Sequence, residues 1–285
     1  MEKIIVISGA TASGKTKFAV DFCKKNKGEI ISSDSRQVYK YLNIGSNKEG
    51  FLSDGCRIID GIKQYLTDII EPDCKYSAAD FAKDANAKIK EIIKAGKLPV
   101  ISGGTGLYIK ALLYGLDEMP PADSSLREVL SKKTAAQLYE ELLKLDGESA
   151  LKHKDNPQRL LRALEINILS GKTVTSHFKP RVKRYDFKHY FLNADRARLY
   201  ERINKRCLAM IENGLIEETR EVLQMGFSEE CPAFNSIGYK QVLQFLKCEI
   251  SKDDLIKELC AKTRQYAKRQ FTWFRGQTDI EKINV

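Results

Sequence analysis

The stretch Ile4-Ile5-Val6-Ile7-Ser8-Gly9-Ala10-Thr11-Ala12-Ser13-Gly14-Lys15-Thr16 decides how the rest of the sequence is read. Its first part is a short apolar, β-branched run that reads as a buried strand. Its second part matches the pattern GxxxxGK[ST], and Phe18, Ala19 and Phe22 follow at helical spacing. Strand, glycine loop and helix are the context in which that pattern binds phosphate. Backbone N–H groups turn inward around phosphate oxygens, the helix N-terminus adds positive potential, and Lys15 reaches the outer phosphates. The Thr16 hydroxyl is placed to ligate Mg²⁺. A glycine-rich structural turn would not need Lys15.

Three more apolar runs follow, at residues 29–33, 98–102 and 189–194. Helical patterns lie between the first three, for example Phe81, Ala85, Ile89, Ile92 and Ile93. Strands buried on both faces and alternating with helices predict a parallel α/β sheet, P-loop NTPase-like, as the core. After Met119-Pro120-Pro121 the pattern changes to nearly continuous amphipathic helix, which stops at Ser170-Gly171. The expected organisation is a core over residues 1–119 and 185–285, with a helical C-terminal part, interrupted by an all-helical domain at 120–184.

Composition narrows the class. The chain has 285 residues and a net charge of +10, spread along its length, with a dense basic run at Lys172, Lys179, Arg181, Lys183, Arg184 and Lys188, opposed only by Asp186. Such a balance suits a polyanionic partner, nucleic acid included. The seven dispersed cysteines form no CxxC pair, and the three histidines stand at no ligand spacing to them, so reduced, packed thiols are expected and a zinc site is not. No apolar run is long enough to cross a bilayer, and the run at 4–7 is too short for a signal peptide, which predicts a cytoplasmic protein; nothing in the sequence demands more than a monomer.

By itself the loop points to ATP, as in a kinase or an ATPase. Against an ATPase, no clean strand ends in a paired acidic motif; Cys56-Arg57-Ile58-Ile59-Asp60 is a weak candidate. The second apolar run instead leads into Asp34-Ser35-Arg36-Gln37. In open α/β sheets ligands bind at that carboxyl edge, beside the phosphate loop. Asp34 is therefore a candidate general base, with a helix cap as the structural alternative.

Eight blocks then carry a resemblance. They are ATASGKT at the loop, DSRQVYKYLNIGS from Asp34, YSAADF from Tyr76 and GGTGLYIKALLYGL from Gly103, then NPQRLLRALEI from Asn156, RLYERINKRCLAMIENGLIEE from Arg198, NSIGYKQV from Asn235 and TRQYAKRQFTWFR from Thr263. In this order and over nearly the whole chain, the sequence resembles the tRNA dimethylallyltransferase (tRNA isopentenyltransferase) family. It departs from that family at Ala10, where proline is common, at Ser46-Asn47, where Thr-Ala is, and at Gln64-Tyr65, often a His pair.

The resemblance implies transfer of a dimethylallyl group from dimethylallyl diphosphate to N6 of the adenine just 3′ of the tRNA anticodon. It implies that residues 9–16 cradle the diphosphate, with Mg²⁺ on Thr16. Asp34 becomes the base, Thr105 a hydrogen-bond partner of the amine or bridging oxygen, and Arg206 a further diphosphate clamp. Arg202, one helical turn away, is equally readable as a surface residue. Asp34, Ser35, Arg36, Gln37 and Thr105 would face the extruded base. Arg127, Gln158, Arg159, Leu160, Leu161 and Arg162 would hold the anticodon stem-loop, although the two leucines suit packing better.

Overall fold

In a computed structural model, residues 2–285 are described. They form eight strands: β1 Lys3–Gly9, β2 Gly28–Ser32, β3 Phe51–Ser53, β4 Cys56–Ile59, β5 Ile62–Tyr65, β6 Leu98–Gly103, β7 Asp186–Asn193 and β8 Glu281–Asn284. The four strands expected from the sequence are β1, β2, β6 and β7. One sheet contains all eight in the order β3-β4-β5-β2-β6-β1-β7-β8. From β5 to β8 the strands run parallel, while β3 and β4 add an antiparallel margin.

Alternation along β1 explains why its run is continuously apolar. Ile4 and Val6 pack on one face with Ile31 and Ile101, against helices α2 (Ala78–Lys94) and α3 (Gly106–Tyr114). Ile5 and Ile7 pack on the other with Ile30 and Val100, against α1 (Lys15–Asn26). Both faces are covered, so the run Ile4–Ile7 holds no polar residue. The motif Ser77-x-x-Asp80 forms a capping box that starts α2.

By contact density the chain divides into two compact units, Met1–Tyr114 with Lys183–Val285, and Gly115–Val182. The sequence reading set the second of these at 120–184. This unit contains α4 (Ser124–Ser131), α5 (Ala135–Leu145), α6 (Gly147–His153) and α7 (Pro157–Ser170), closed around Leu130, Leu138, Leu142, Leu160 and Leu164. The first unit continues with α8 (Arg196–Glu212), α9 (Leu215–Gln224), α10 (Tyr239–Leu246) and α11 (Lys252–Arg275). These four share a core that includes Ala10 of the phosphate loop, so the C-terminal helices build on the loop itself. All seven cysteines are free thiols, five of them buried. Among the described residues, no helix is long and apolar enough to cross a membrane.

Candidate active site

The phosphate loop leaves β1 at Gly9 and enters α1 at Lys15. Gly14 has a φ of 86°, a left-handed conformation that suits glycine, and caps the helix without a side-chain bond to its first amides. Those amides are left directed at the space in front of the helix. Lys15 donates from Nζ to the Ala10 carbonyl at 2.6 Å. Burial pulls its pKa down to about 8, partly offset by the attraction of Asp34 and reinforced by Arg206. Arg206 on α8 donates from Nη2 to the Thr11 hydroxyl. Its Nε is buried without a hydrogen-bond partner, as is Ser13 Oγ in the loop. A desolvated guanidinium with an unused donor beside a ring of amides fits an anion with several oxygens. Arg202, on the same helix, is exposed, so the two arginines face different surroundings.

A cavity of about 540 Å³ opens against this loop. Thr11, Ala12, Gly14, Lys15, Thr16 and Arg206 line one side of it, and Asp34, Ser35, Arg36 and Gln37 also face it. Asp34 Oδ1 accepts the Arg36 N–H at 2.8 Å, a local turn bond of the kind that the cap alternative anticipated. The same carboxylate still faces the cavity, so capping and chemistry are compatible. Thr105 accepts the Ser35 N–H at 3.1 Å and donates to the Ser35 hydroxyl at 3.4 Å. It thereby holds the Asp34 segment from behind, and Tyr266 of α11 lines the cavity beside it. Burial pushes the Tyr266 phenol up to about 12, so it stays protonated.

Two contributors were given no role by the sequence: Gln270, although it lies in the block from Thr263, and Glu49, which lies in none. Gln270 is buried on α11; its Oε1 accepts the Thr11 N–H at 2.7 Å and its Nε2 donates to the Gly104 carbonyl at 3.0 Å. It ties the phosphate loop to the turn after β6. Glu49 and Arg269 also line the cavity. Neither Gln270 nor Glu49 could be placed here without knowing how distant segments meet. The Asp60 candidate lies instead in an exposed turn between β4 and β5, with a φ of 48°, and does not line the cavity.

Within the helical unit, Arg127 and Arg162 both bond to Glu165, whose side chain is fully buried. Arg127 does so at 2.8 and 2.9 Å. Arg162 also donates to the Pro120 carbonyl at 2.7 Å. Leu160 is completely buried in that unit's core and Leu161 packs against it, so the Leu160 side chain offers nothing to RNA. Gln158 and Arg159 are exposed at the start of α7.

Among the described residues, no group of three or more His, Cys, Asp or Glu could hold a metal ion. Thr16 in the cavity nevertheless suits Mg²⁺, which commonly takes one or two protein oxygens and completes its shell with substrate phosphate and water.

A largely parallel sheet with a phosphate loop at the carboxyl end of β1 and a cationic cavity in front of it defines a P-loop α/β protein. The chain belongs to the IPP transferase family: that family's model matches residues 37–277, and the related isopentenyl transferase model matches residues 2–53. It is 61% identical to a tRNA dimethylallyltransferase of Endomicrobium trichonymphae, covering 98% of this chain and 93% of that one. It is 39% identical to one from Sulfurihydrogenibium sp., covering 99% and 92%. Among solved structures, it resembles a tRNA isopentenylpyrophosphate transferase of Bacillus halodurans (TM-score 0.73, 35% identity, 100% of this chain and 90% of that one). It also resembles a eukaryotic dimethylallyltransferase described as acting on tRNA (TM-score 0.81, 27% identity, 100% and 74%).

Proposed function

We propose that this chain transfers a dimethylallyl group from dimethylallyl diphosphate to N6 of the adenine 3′-adjacent to the tRNA anticodon, giving N6-dimethylallyladenosine and diphosphate. The observation that carries this reading is the composition of one cavity, where Lys15, Arg206 and the loop amides share a space with the Asp34 carboxylate. The N6 lone pair forms the new C–N bond as the C–O bond to diphosphate breaks and its electron pair leaves with the oxygen. Charge grows on that leaving oxygen, where Lys15, Arg206 and the loop amides not already bonded within the protein stabilise it. Asp34 accepts the N6 proton, which the nitrogen must lose to stay neutral once its lone pair is committed to the new C–N bond. Mg²⁺ held by Thr16 would neutralise further diphosphate charge.

Ser35, Arg36 and Gln37 are proposed to meet the extruded base, since a stacked adenine is out of reach of a cavity. Gln158 and Arg159 are the proposed backbone contacts of the helical unit, and Arg127 and Arg162 shape that unit through Glu165. A cytoplasmic monomer fits this role. Family membership sets aside the kinase reading, which rested on the loop alone.

The test incubates the protein and Mg²⁺ with unmodified tRNA and dimethylallyl diphosphate, with ATP as a parallel donor. A prenyl mass gain on tRNA is expected. Consumption of ATP with tRNA unchanged would overturn the proposal.

A further inference from the structure

The segment 43–47 forms a rim of the cavity, contributing Gly45, Ser46 and Asn47 to its lining. It is held from outside by one carboxylate. Glu218 on α9 accepts the N–H of Asn43 at 2.7 Å, of Ile44 at 2.9 and 3.1 Å, and of Gly45 at 3.4 Å. The Tyr239 hydroxyl donates to Glu218 Oε1 at 2.6 Å and accepts the Gly45 N–H at 3.0 Å. Glu218 is 8% exposed and Tyr239 is fully buried. Consecutive amides converging on one anion form a nest, here closed by an internal carboxylate rather than a ligand. A Cβ on Gly45 would sit 2.5 Å from two Tyr239 ring carbons, so the ring lies directly on this backbone.

The far end of the segment is pinned as well. Lys48 Nζ, buried, donates to Asp68 Oδ1 at 2.6 Å, and Arg57 Nε donates to Asp68 Oδ2 at 2.7 Å. Between the two pins, the carbonyls of Ser46 and Asn47 each accept from Gln37 Nε2 at 3.2 Å. Gln37 Oε1 accepts from Ser32 Oγ at 3.0 Å. Both amide hydrogens of Gln37 are therefore committed, and its orientation follows the carbonyls of the pinned segment.

We infer that Glu218 is a positioning residue that acts through the 43–45 backbone to set the Gln37 amide, whose oxygen keeps one lone pair free, for the target nucleotide of the RNA. This rests on the proposed transfer to tRNA. The cationic wall for diphosphate is built on the phosphate loop and α8, so displacing the 43–47 rim weakens RNA engagement and spares the prenyl donor.

The experiment measures steady-state kinetics of Glu218→Gln, in which one amide-accepting oxygen becomes a donor facing backbone N–H groups. KM for tRNA should rise about tenfold, with kcat within about threefold and KM for dimethylallyl diphosphate unchanged. Amides 43–45 should exchange faster with solvent. Gln37→Ala should raise the tRNA KM by itself, and adding Glu218→Gln should raise it by no more than about twofold further. Parallel rises in both KM values, or effects that multiply fully in the double variant, would overturn the inference. If Glu218→Gln does not fold, Tyr239→Phe carries the same measurements, with a rise of about threefold. A wild-type protein that transfers nothing to tRNA refutes the functional reading itself. An active wild type with unaffected variants refutes only the role of Glu218.

Discussion

The backbone N–H of Thr11 donates to Gln270 Oε1 at 2.7 Å, across 259 positions of sequence. The phosphate loop is thereby fastened to α11, and the second arm of the same amide reaches Gly104. A loop whose remaining amides must stay aimed at an anion gains rigidity from a buried side chain that satisfies an amide directed elsewhere. Replacing Gln270 with Ala leaves the Thr11 N–H and the Gly104 carbonyl without these partners. Stability should fall by about 1–3 kcal/mol, read as a lower midpoint in thermal or urea unfolding. Affinity for dimethylallyl diphosphate should fall with it, as measured by calorimetry.

The single tryptophan reports on the same helix. A Cβ on Gly106 would stand 2.0 Å from Trp273 Nε1, so Gly106→Ala must displace either the indole or α3. The expected result is red-shifted Trp273 fluorescence and a stability loss of about 1–3 kcal/mol. An unshifted spectrum would show that α3 moves instead.

Lys15 gives the site a pH dependence. Burial holds its folded-state pKa near 8, below the ordinary lysine value of 10.5. The unfolded chain therefore binds the extra proton between about pH 8 and 10.5, and this group's contribution makes folding more favourable as pH rises through that window. Binding runs the other way, because the charged ammonium is what diphosphate requires. Affinity for dimethylallyl diphosphate should weaken above about pH 8, with proton uptake on binding visible as buffer-dependent calorimetric heats. Lys15→Met should abolish both.

Asp34→Asn keeps an oxygen able to accept the Arg36 N–H, so the turn should persist. Turnover should drop by about 10²–10⁴ in single-turnover assays while tRNA affinity is retained, as expected for loss of a proton acceptor. Near-normal turnover would remove Asp34 as the base.

In the helical unit the arginines should behave differently. Arg159 is exposed, and Arg159→Ala should reduce the salt slope of tRNA binding by about one. Arg127→Ala takes a bidentate partner from buried Glu165 and should destabilise this unit by about 1–3 kcal/mol. An unchanged slope for Arg159→Ala would exclude it from phosphate contact.

Much of the sheet was legible because burial on both faces forces a continuous apolar run, as in β1 and β6. Strands β3 to β5 and β8 were not. Phe51 and Leu52 are exposed at 64% and 57%, and β8 is only partly covered, so at the two sheet edges no two-sided hydrophobic pattern is left to read, while β4 and β5 are only four residues each. Leu160 illustrates the same logic inside a motif. The resemblance set it among the RNA contacts, but helical spacing with Leu164 sends it into the core.

The sequence by itself determined the phosphate loop, because strand, glycines, Lys15 and Thr16 are contiguous and their backbone geometry is local. It also carried Asp34, placed at a strand end by the same short-range rule. Only the tertiary structure decided what surrounds them. Arg206 turns inward and Arg202 outward through the docking of α8, Gln270 reaches Thr11 through the docking of α11, and Glu218 closes on the backbone of residues 43–45 from α9. These are contacts across 170 residues and more, fixed by how helices pack on a sheet, and packing geometry is set by the whole core rather than by any neighbouring residues.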